Sequence, residues 1–326
     1  MSSPTALRWT LAGDEAQGAL FDDGLPSGAR DLPAVEYLHV KARKIISSVP
    51  AASRMPFRHT INAYRGCTHA CVYCFARPTH TYLDLDPGID FERRIIVKVN
   101  AVARLRAELR APGWTGEWIA MGTNTDPYQP AEGRYRLTRG LVGVLSDARN
   151  PFSILTKSTM VLRDLDLLVE ASKRTRVRVD LSIGTLDERA WRTSEPGTPS
   201  PLQRIEAVRR LVDAGIECGV FVAPVLPGIS DAPEQLEAVV HAAVEAGAAS
   251  ISTVTLHLRP GVRELFLPWL ERERPDLVDR YDALYASPSG YAPQEFRRAH
   301  AGRMAALTRA AGGQLATRMP AKYSDE

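Results

Sequence analysis

Six short apolar runs recur along the middle of the chain, separated by amphipathic segments. They occupy residues 59–64, 117–122, 152–157, 178–184, 218–225 and 250–256. Each run is rich in β-branched residues and nearly continuous in hydrophobicity, which is typical of strands buried on both faces of a sheet. The pattern therefore predicts six strands of a largely parallel sheet.

The segment between the first two runs shows helical periodicity. Its apolar residues recur at intervals of three, four and seven, which would place them on one face of a helix. They are Ile95, Val99, Val102 and Leu109. We therefore predict a helix over residues 91–110.

Two later helices are predicted from their end signals. One begins after Ser200, which is followed by a proline suited to a first turn, and ends at Gly215. The next begins at Asp231, which together with Glu234 resembles a capping box, and ends near Gly247.

Serial strand–helix units predict parallel pairing with right-handed crossovers, in either an open doubly wound sheet or a barrel. In both folds ligands gather at the carboxyl ends of the strands. Polar clusters follow five of the six apolar runs, as this rule requires. We expect a core over residues 56–260, a loose basic extension over 1–55 and a helical extension over 261–326.

Composition narrows the class of protein. The 326 residues contain no apolar run of 18, and the polar N-terminus lacks the charged and apolar regions of a signal peptide. We therefore expect a cytoplasmic protein without a membrane span. Only four cysteines are present, too few for a disulfide framework, so clustered thiols indicate metal or redox chemistry.

Charge is distributed unevenly, although the net charge is only +3. Residues 37–83 contain no acidic residue, and they carry seven lysines and arginines. Such a stretch attracts anions, so it suits either the phosphates of a nucleic acid or an acidic electron donor such as a flavodoxin or ferredoxin. A solvated basic loop is the plain alternative.

Three of the four cysteines lie in the stretch "NAYRGCTHACVYCFAR", at Cys67, Cys71 and Cys74. Three soft thiolates on one short loop suit an iron–sulfur cluster that keeps one iron open for a substrate. A zinc site completed by His69 is the alternative. The fourth cysteine, Cys218, is predicted at the opposite end of the sheet because it opens the fifth strand.

The C-x3-C-x2-C spacing after a first strand resembles the radical S-adenosylmethionine (SAM) superfamily. The longer pattern around it, with "TDPYQP" (125–130), "TKS" (156–158) and "EPGTPSPLQRI" (195–205), is similar to the spore photoproduct lyase-like group within that superfamily. The resemblance implies a partial (β/α)6 TIM-type barrel, a [4Fe–4S] cluster on the three cysteines, and SAM bound at the open iron. It also implies a 5′-deoxyadenosyl radical that abstracts hydrogen from the substrate.

The resemblance further implies residues for SAM. Tyr73 matches the aromatic set against adenine, and the loop after the second strand would bind the amino group. The ribose and carboxylate would meet residues after the third and fourth strands, although turn and cap roles are open alternatives for several of them. The implied residues are Tyr73, Thr125, Asp126, Lys157, Ser158, Ser182 and Thr185.

The substrate is less constrained. Spore photoproduct lyase uses a further cysteine as hydrogen donor, and Cys218 is predicted to lie in the wrong place for that role. Tyr128 and Tyr135 are therefore the candidate donors. DNA-lesion chemistry is the preferred reading, with RNA, a peptide or a small metabolite as alternative substrates. A non-catalytic iron–sulfur or zinc protein that senses redox state or binds nucleic acid is the alternative of another class.

Overall fold

A computed structural model describes residues 9–11, 34–53 and 55–316. Within these ranges there are eleven strands and eleven α-helices. The strands are β1 Trp9–Leu11, β2 Glu36–Ala42, β3 Ile46–Ser48, β4 His59–Ile61, β5 Tyr64–Arg65, β6 Arg94–Lys98, β7 Ile119–Met121, β8 Phe152–Thr156, β9 Val177–Ser182, β10 Glu217–Val225 and β11 Ile251–Thr255. The helices are α1 Ile89–Arg93, α2 Ala101–Leu109, α3 Ala131–Tyr135, α4 Leu137–Asp147, α5 Leu165–Ser172, α6 Glu188–Ser194, α7 Pro201–Asp213, α8 Pro233–Glu245, α9 Arg263–Glu273, α10 Val278–Leu284 and α11 Gln294–Ala310.

The main sheet has seven strands in the order β11-β10-β9-β8-β7-β4-β3. All neighbours in it are parallel except β3, which is antiparallel to β4. The six predicted apolar runs supply the six parallel strands. They follow chain order without the reversal of a doubly wound sheet, so that alternative is wrong. Across the described residues the sheet stays open, with β11 and β3 at its edges.

A second sheet of four strands, ordered β1-β2-β6-β5, lies beside the first. Its central pair, β2 and β6, is parallel, and the outer strands are antiparallel to their neighbours. Strands β2 and β3 fall in the stretch that was expected to be an extension. The looseness expected before residue 34 falls largely outside the described residues.

The predicted helix over residues 91–110 is wrong, because that stretch contains the end of α1, then β6, then α2. Ile95, Ile96 and Val97 are consecutive and all buried, which a strand between two partner strands allows and a one-sided helix does not. The first predicted strand is likewise divided, with β4 in the main sheet and β5 in the second.

Of the two later helices, one starts where it was predicted and the other starts one residue later. Helix α7 begins at a capping box formed by Ser200 and Gln203, as a helix starting after Ser200 requires. Helix α8 is capped at Ala232 instead of Asp231, because Pro233 occupies its first turn. The Asp231 carboxylate accepts a hydrogen bond from the backbone N–H of Gly228, 2.6 Å away. No helix among the described residues is long and apolar enough to cross a membrane.

Gly122, directly after β7, tests how tightly the parallel strands approach. Its φ is 91°, and a Cβ there would lie 2.0 Å from the Leu155 carbonyl oxygen. We expect Gly122→Ala to lower the free energy of unfolding by about 3 kcal/mol, measured by urea denaturation, because strain and a backbone clash add.

The matched control is Gly143→Ala inside α4, where nothing lies within 4 Å of the added Cβ. It should raise the free energy of unfolding by about 0.5–1 kcal/mol. Equal stabilities for the two variants would contradict the close approach at Gly122.

Candidate active site

The three cysteines of the predicted cluster lie together in one loop after β5. Cys67 and Cys71 are buried and Cys74 is half-buried. Burial raises the pKa of each thiol, and for Cys67 the nearby Asp126 carboxylate and the other two thiols raise it further. The thiols therefore share one poorly solvated region.

The loop is shaped by close backbone contacts. Gly66 has a φ of 81°, and a Cβ there would lie 2.8 Å from the Phe91 carbonyl oxygen. The same oxygen accepts a hydrogen bond from the Cys67 N–H at 2.8 Å. Glycine before the first cysteine is therefore required, because it lets the loop lie against α1.

Arg77 anchors the loop from its far side. The guanidinium is buried and donates to the Cys71 carbonyl at 3.0 Å and to the carbonyls of Pro87 and Gly88 at 3.2 and 3.1 Å. It also forms an ion pair with Glu92. Arg77, the last residue of the stretch "NAYRGCTHACVYCFAR", thus holds the backbone of the cysteine loop in place.

The loop after β7 is hydrogen-bonded to the cysteine loop. The Thr125 hydroxyl and the Gln129 amide both donate to the Gly66 carbonyl, at 2.5 and 2.9 Å. The Gln129 oxygen accepts from the Thr68 N–H at 3.2 Å. Thr125 therefore lies beside the cysteines, as predicted, but its hydroxyl is already engaged. Gln129, which the sequence analysis missed, supports the same Gly66 carbonyl.

Asp126 is held by groups from two other segments. It accepts hydrogen bonds from the Thr156 hydroxyl at 2.6 Å and from the backbone N–H of Lys157 at 2.7 Å. The imidazole Nδ1 of His69 lies 3.4 Å from the carboxylate. Burial alone would raise the pKa of Asp126, but His69 and these hydrogen bonds lower it. The carboxylate therefore ties the loops after β7 and β8 to the cysteine loop.

Lys157 reaches across the rim from the end of β8. Its ammonium lies 2.7 Å from the Ser182 hydroxyl and 3.0 Å from the Glu195 carboxylate, and 5.5 Å from the centre of the Tyr73 ring. The Ser182 hydroxyl in turn donates to the Ala223 carbonyl at 2.9 Å. The structure thus brings together three of the residues predicted for SAM, from three different segments.

Glu195 lies at the centre of this group, although the sequence analysis did not select it. Its carboxylate accepts from the Tyr73 hydroxyl and pairs with the buried Arg204 at 2.6 Å. Burial alone would raise the pKa of Glu195, but Arg204, Lys157 and the Tyr73 hydrogen bond lower it to about 2. The available signal was the motif "EPGTPSPLQRI", which begins with Glu195 and contains Arg204.

The segment that follows Glu195 packs directly on the cysteine loop. A Cβ on Gly197 would lie 2.2 Å from the Thr68 carbonyl oxygen, and the Gly197 N–H donates to the His69 carbonyl at 3.1 Å. The Val72 N–H donates to the Ser194 carbonyl at 3.0 Å. Residues 194–197 and the cysteine loop therefore form one unit.

Ser158 and Thr185 have local partners. The Ser158 hydroxyl caps the short helix Thr159–Asp164 by accepting from the Met160 N–H at 3.2 Å. The Thr185 hydroxyl accepts from the Asp187 N–H at 3.0 Å, just before α6. Both side chains are buried at the carboxyl ends of their strands. A turn or cap role is thus observed for each.

A cavity of about 510 Å³ opens beside the cysteine loop. Its walls include His69, Tyr128, Ser158 and Met160, and the prolines of the 195–199 segment. Burial raises the pKa of the Tyr128 phenol, and the carboxylates of Asp164 and Glu132 raise it further. The Tyr128 phenol therefore stays neutral, and its side chain is fully buried.

Tyr135, the other candidate donor, has its contacts elsewhere. Its hydroxyl lies 2.7 Å from His39 Nε2 and its ring packs edge-on against Tyr37, both on β2. It is not among the residues that line the cavity. Cys218 is buried at the second position of β10, at the amino end of that strand, as predicted.

Comparison with known proteins agrees with this geometry. The family model of the radical SAM superfamily matches residues 61–243. The chain therefore belongs to the radical SAM superfamily, and it is a radical SAM enzyme. Members of this family use a [4Fe–4S] cluster and SAM.

An uncharacterised protein of Mycobacterium tuberculosis is 42% identical over 302 residues, covering 89% of this chain and 88% of its own length. An uncharacterised protein of Methanocaldococcus jannaschii is 32% identical over 199 residues, 60% of this chain and 70% of its own. A solved structure of spore photoproduct lyase complexed with dinucleoside spore photoproduct superposes with a TM-score of 0.61 at 17% identity. It covers 86% of this chain and 81% of that one. At this identity the likeness shows a shared fold.

The buried ion pairs of Glu195 can be tested through stability. We expect Glu195→Gln to lower the free energy of unfolding by about 3 kcal/mol, because Arg204 would stay buried without its carboxylate. Urea denaturation followed by circular dichroism measures the change. Glu188→Gln is the control, since Glu188 forms an exposed pair with Arg192 and should change the value by less than about 0.5 kcal/mol. Equal losses would disprove the central role of Glu195.

Proposed function

We propose that this chain holds a [4Fe–4S] cluster on Cys67, Cys71 and Cys74, binds SAM beside it, and acts on damaged DNA in a lyase-like reaction. When bound, the cluster supplies one electron that cleaves SAM and yields a 5′-deoxyadenosyl radical. The single observation that carries the proposal is the convergence of three thiols, two buried and one half-buried, with the Tyr73–Glu195–Lys157 group. We also propose that the six parallel strands form the partial barrel of this family.

The residues present suit such a cluster. The three thiols, two buried and one half-buried, are soft donors whose ionisation in a poorly solvated region needs a bound cation. The loop supplies only three thiols, so one of the four irons would lack a cysteine ligand from it. Among the described residues, no three His, Cys, Asp or Glu side chains lie close enough together to hold a single metal ion.

Residues of this chain would orient SAM. Lys157 is the cation suited to the methionyl carboxylate. It follows β8 and donates to the hydroxyl of Ser182 at the carboxyl end of β9. Tyr73 presents a ring fixed by its hydrogen bond to Glu195, which suits the adenine. Asp126 is suited to the amino group, and its present partners keep its carboxylate ionised.

Exclusion of water follows from how these residues are packed. Tyr73 and Cys71 belong to one apolar cluster with Leu226, Leu256 and Leu258. These apolar side chains would exclude water from the side of the site where Cys71 and Tyr73 lie. Tyr128 on the cavity wall is the proposed donor of a hydrogen atom to the product radical, a transfer that would leave a tyrosyl radical on Tyr128.

Two observations support a nucleic-acid substrate. The superposed relative is a lyase whose structure contains a dinucleoside lesion. In this chain Ile46 pairs with Ile61, the last residue of β4, so the turn before β3 lies at the same rim as the cysteines. That turn exposes Arg43 and Lys44, which would attract phosphates. The family also needs an electron donor, and an acidic flavodoxin or ferredoxin would suit the same positive edge.

The cluster assignment is tested by anaerobic reconstitution followed by dithionite and SAM. We expect about four irons per chain and release of 5′-deoxyadenosine. Replacing Cys67, Cys71 or Cys74 by alanine should abolish both, because each supplies one thiolate.

Cys218→Ala is the control and should keep iron and cleavage, since it lies at the other end of the sheet. A full iron content without cleavage would overturn the proposed function. Loss of iron in the Cys218 variant would overturn the ligand assignment.

The proposed carboxylate contact predicts a change in SAM affinity. Lys157→Met should weaken SAM binding to the reconstituted protein by about 10- to 100-fold, because a charge-assisted hydrogen bond is lost. Equilibrium dialysis with labelled SAM measures the change. Lys173→Met, in an exposed ion pair with Glu170, is the control and should bind SAM as the unaltered chain does. Unchanged affinity in the Lys157 variant would reject this contact.

A further inference from the structure

Two aromatic rings are stacked just beyond the carboxyl end of β11. The ring centroids of His257 and Tyr291 are 3.7 Å apart and their planes differ by 6°. We call this pair the aromatic platform. It is a built feature, because Leu258 N–H donates to the Gly290 carbonyl at 2.8 Å and a Cβ on Gly290 would lie 2.3 Å from the Leu258 carbonyl oxygen.

Positive charge surrounds the aromatic platform. The Arg297 guanidinium carbon lies 5.1 Å from the centre of the Tyr291 ring. Burial lowers the pKa of His257, against a hydrogen bond to the Ser289 carbonyl that raises it, and the charges of Arg259 and Arg297 lower it further. A cavity of about 360 Å³ beside the platform is lined in part by Tyr291 and Arg297. An aromatic surface, a recess and two cations thus occur together.

The aromatic platform adjoins the active site. Leu256 and Leu258, on either side of His257, belong to the apolar cluster that contains Cys71 and Tyr73. Further along the same segment, a Cβ on Gly261 would lie 2.7 Å from the Pro78 side chain, four residues after the third cysteine. The segment that carries His257 is therefore joined to the cysteine loop through apolar contacts.

Two further exposed aromatic side chains lie in or just after the cysteine loop. Among the described residues, three aromatic side chains are counted as exposed: Phe75, Tyr82 and Tyr291. Phe75 directly follows the third cysteine, and Tyr82 lies in the short helix that contains Pro78. Water-exposed aromatic rings beside arginines are the composition of surfaces that stack nucleobases and hold phosphates.

We propose that the aromatic platform, with Arg259 and Arg297, binds the DNA strand next to the reacting nucleotide, one base stacking on the outer face of the His257 ring and the phosphates meeting the arginines. This assignment rests on the proposed function, since it names how that substrate is held. The stacking surface favours DNA over an acidic protein, which would need the charges but not the rings. The platform would hold the strand in place while the lesion lies at the cavity beside the cysteine loop.

The test measures binding of a fluorescein-labelled 20-nucleotide oligothymidine to the full-length reconstituted protein by fluorescence anisotropy. Tyr291→Ala should bind about tenfold more weakly, because stacking of one base is lost. Tyr291→Phe keeps the ring and should bind as the unaltered chain does. Arg297→Ala should lower the slope of log affinity against log salt by about 0.7, the value for one phosphate contact on a single strand.

Arg309→Ala is the matched charge control, because Arg309 is exposed near the far end of the same helix α11. It should leave the salt slope unchanged. Unaltered affinity in Tyr291→Ala, or equal salt effects in the two arginine variants, would overturn the platform assignment. These outcomes are independent of 5′-deoxyadenosine release by the unaltered chain without DNA, which alone decides whether the proposed SAM chemistry is present.

Discussion

A carboxylate that is almost completely removed from water must be matched by positive charge and hydrogen-bond donors. Glu195 is such a group, and its partners come from the cysteine loop, the end of β8 and helix α7. Each of these segments is therefore held to a common centre. The spacing between Tyr73, Lys157 and the cysteines follows largely from this single electrostatic requirement, and much of the candidate site depends on it.

The six parallel strands were predictable because each is a continuous apolar run, and a strand buried on both faces leaves that mark in the sequence alone. Strand β6 was not. Ile95, Val99 and Val102 also satisfy a helical period, and the local pattern does not show that β2 and β5 lie on either side. A local pattern fails in this way where a long-range partner decides. The start of helix α8 was misplaced by one residue for a local reason, because Pro233 occupies its first turn and Asp231 accepts a hydrogen bond from Gly228.

The residues of the candidate site likewise fall into those that the sequence could predict and those that it could not. The cysteines could be identified because their chemistry is contained in eight consecutive residues. Lys157 and Ser182 could be placed because the ends of parallel strands share a rim, and the structure joins them at 2.7 Å. Glu195 and Gln129 could not be selected on chemistry, because their importance comes from partners far away in the chain. Tyr135 was selected for its proximity in sequence to the second-strand loop, but its ring turns toward β2.

Gly197 has a consequence for how the protein matures. The cysteine loop rests against a segment that is synthesised long after it, and the fit leaves no room for a side chain at residue 197. The three thiols therefore reach their final arrangement only when the chain has been made and folded through helix α7, whose Arg204 pairs with Glu195. A nascent chain that stops before residue 197 would therefore present the cysteines without the wall that shapes their loop.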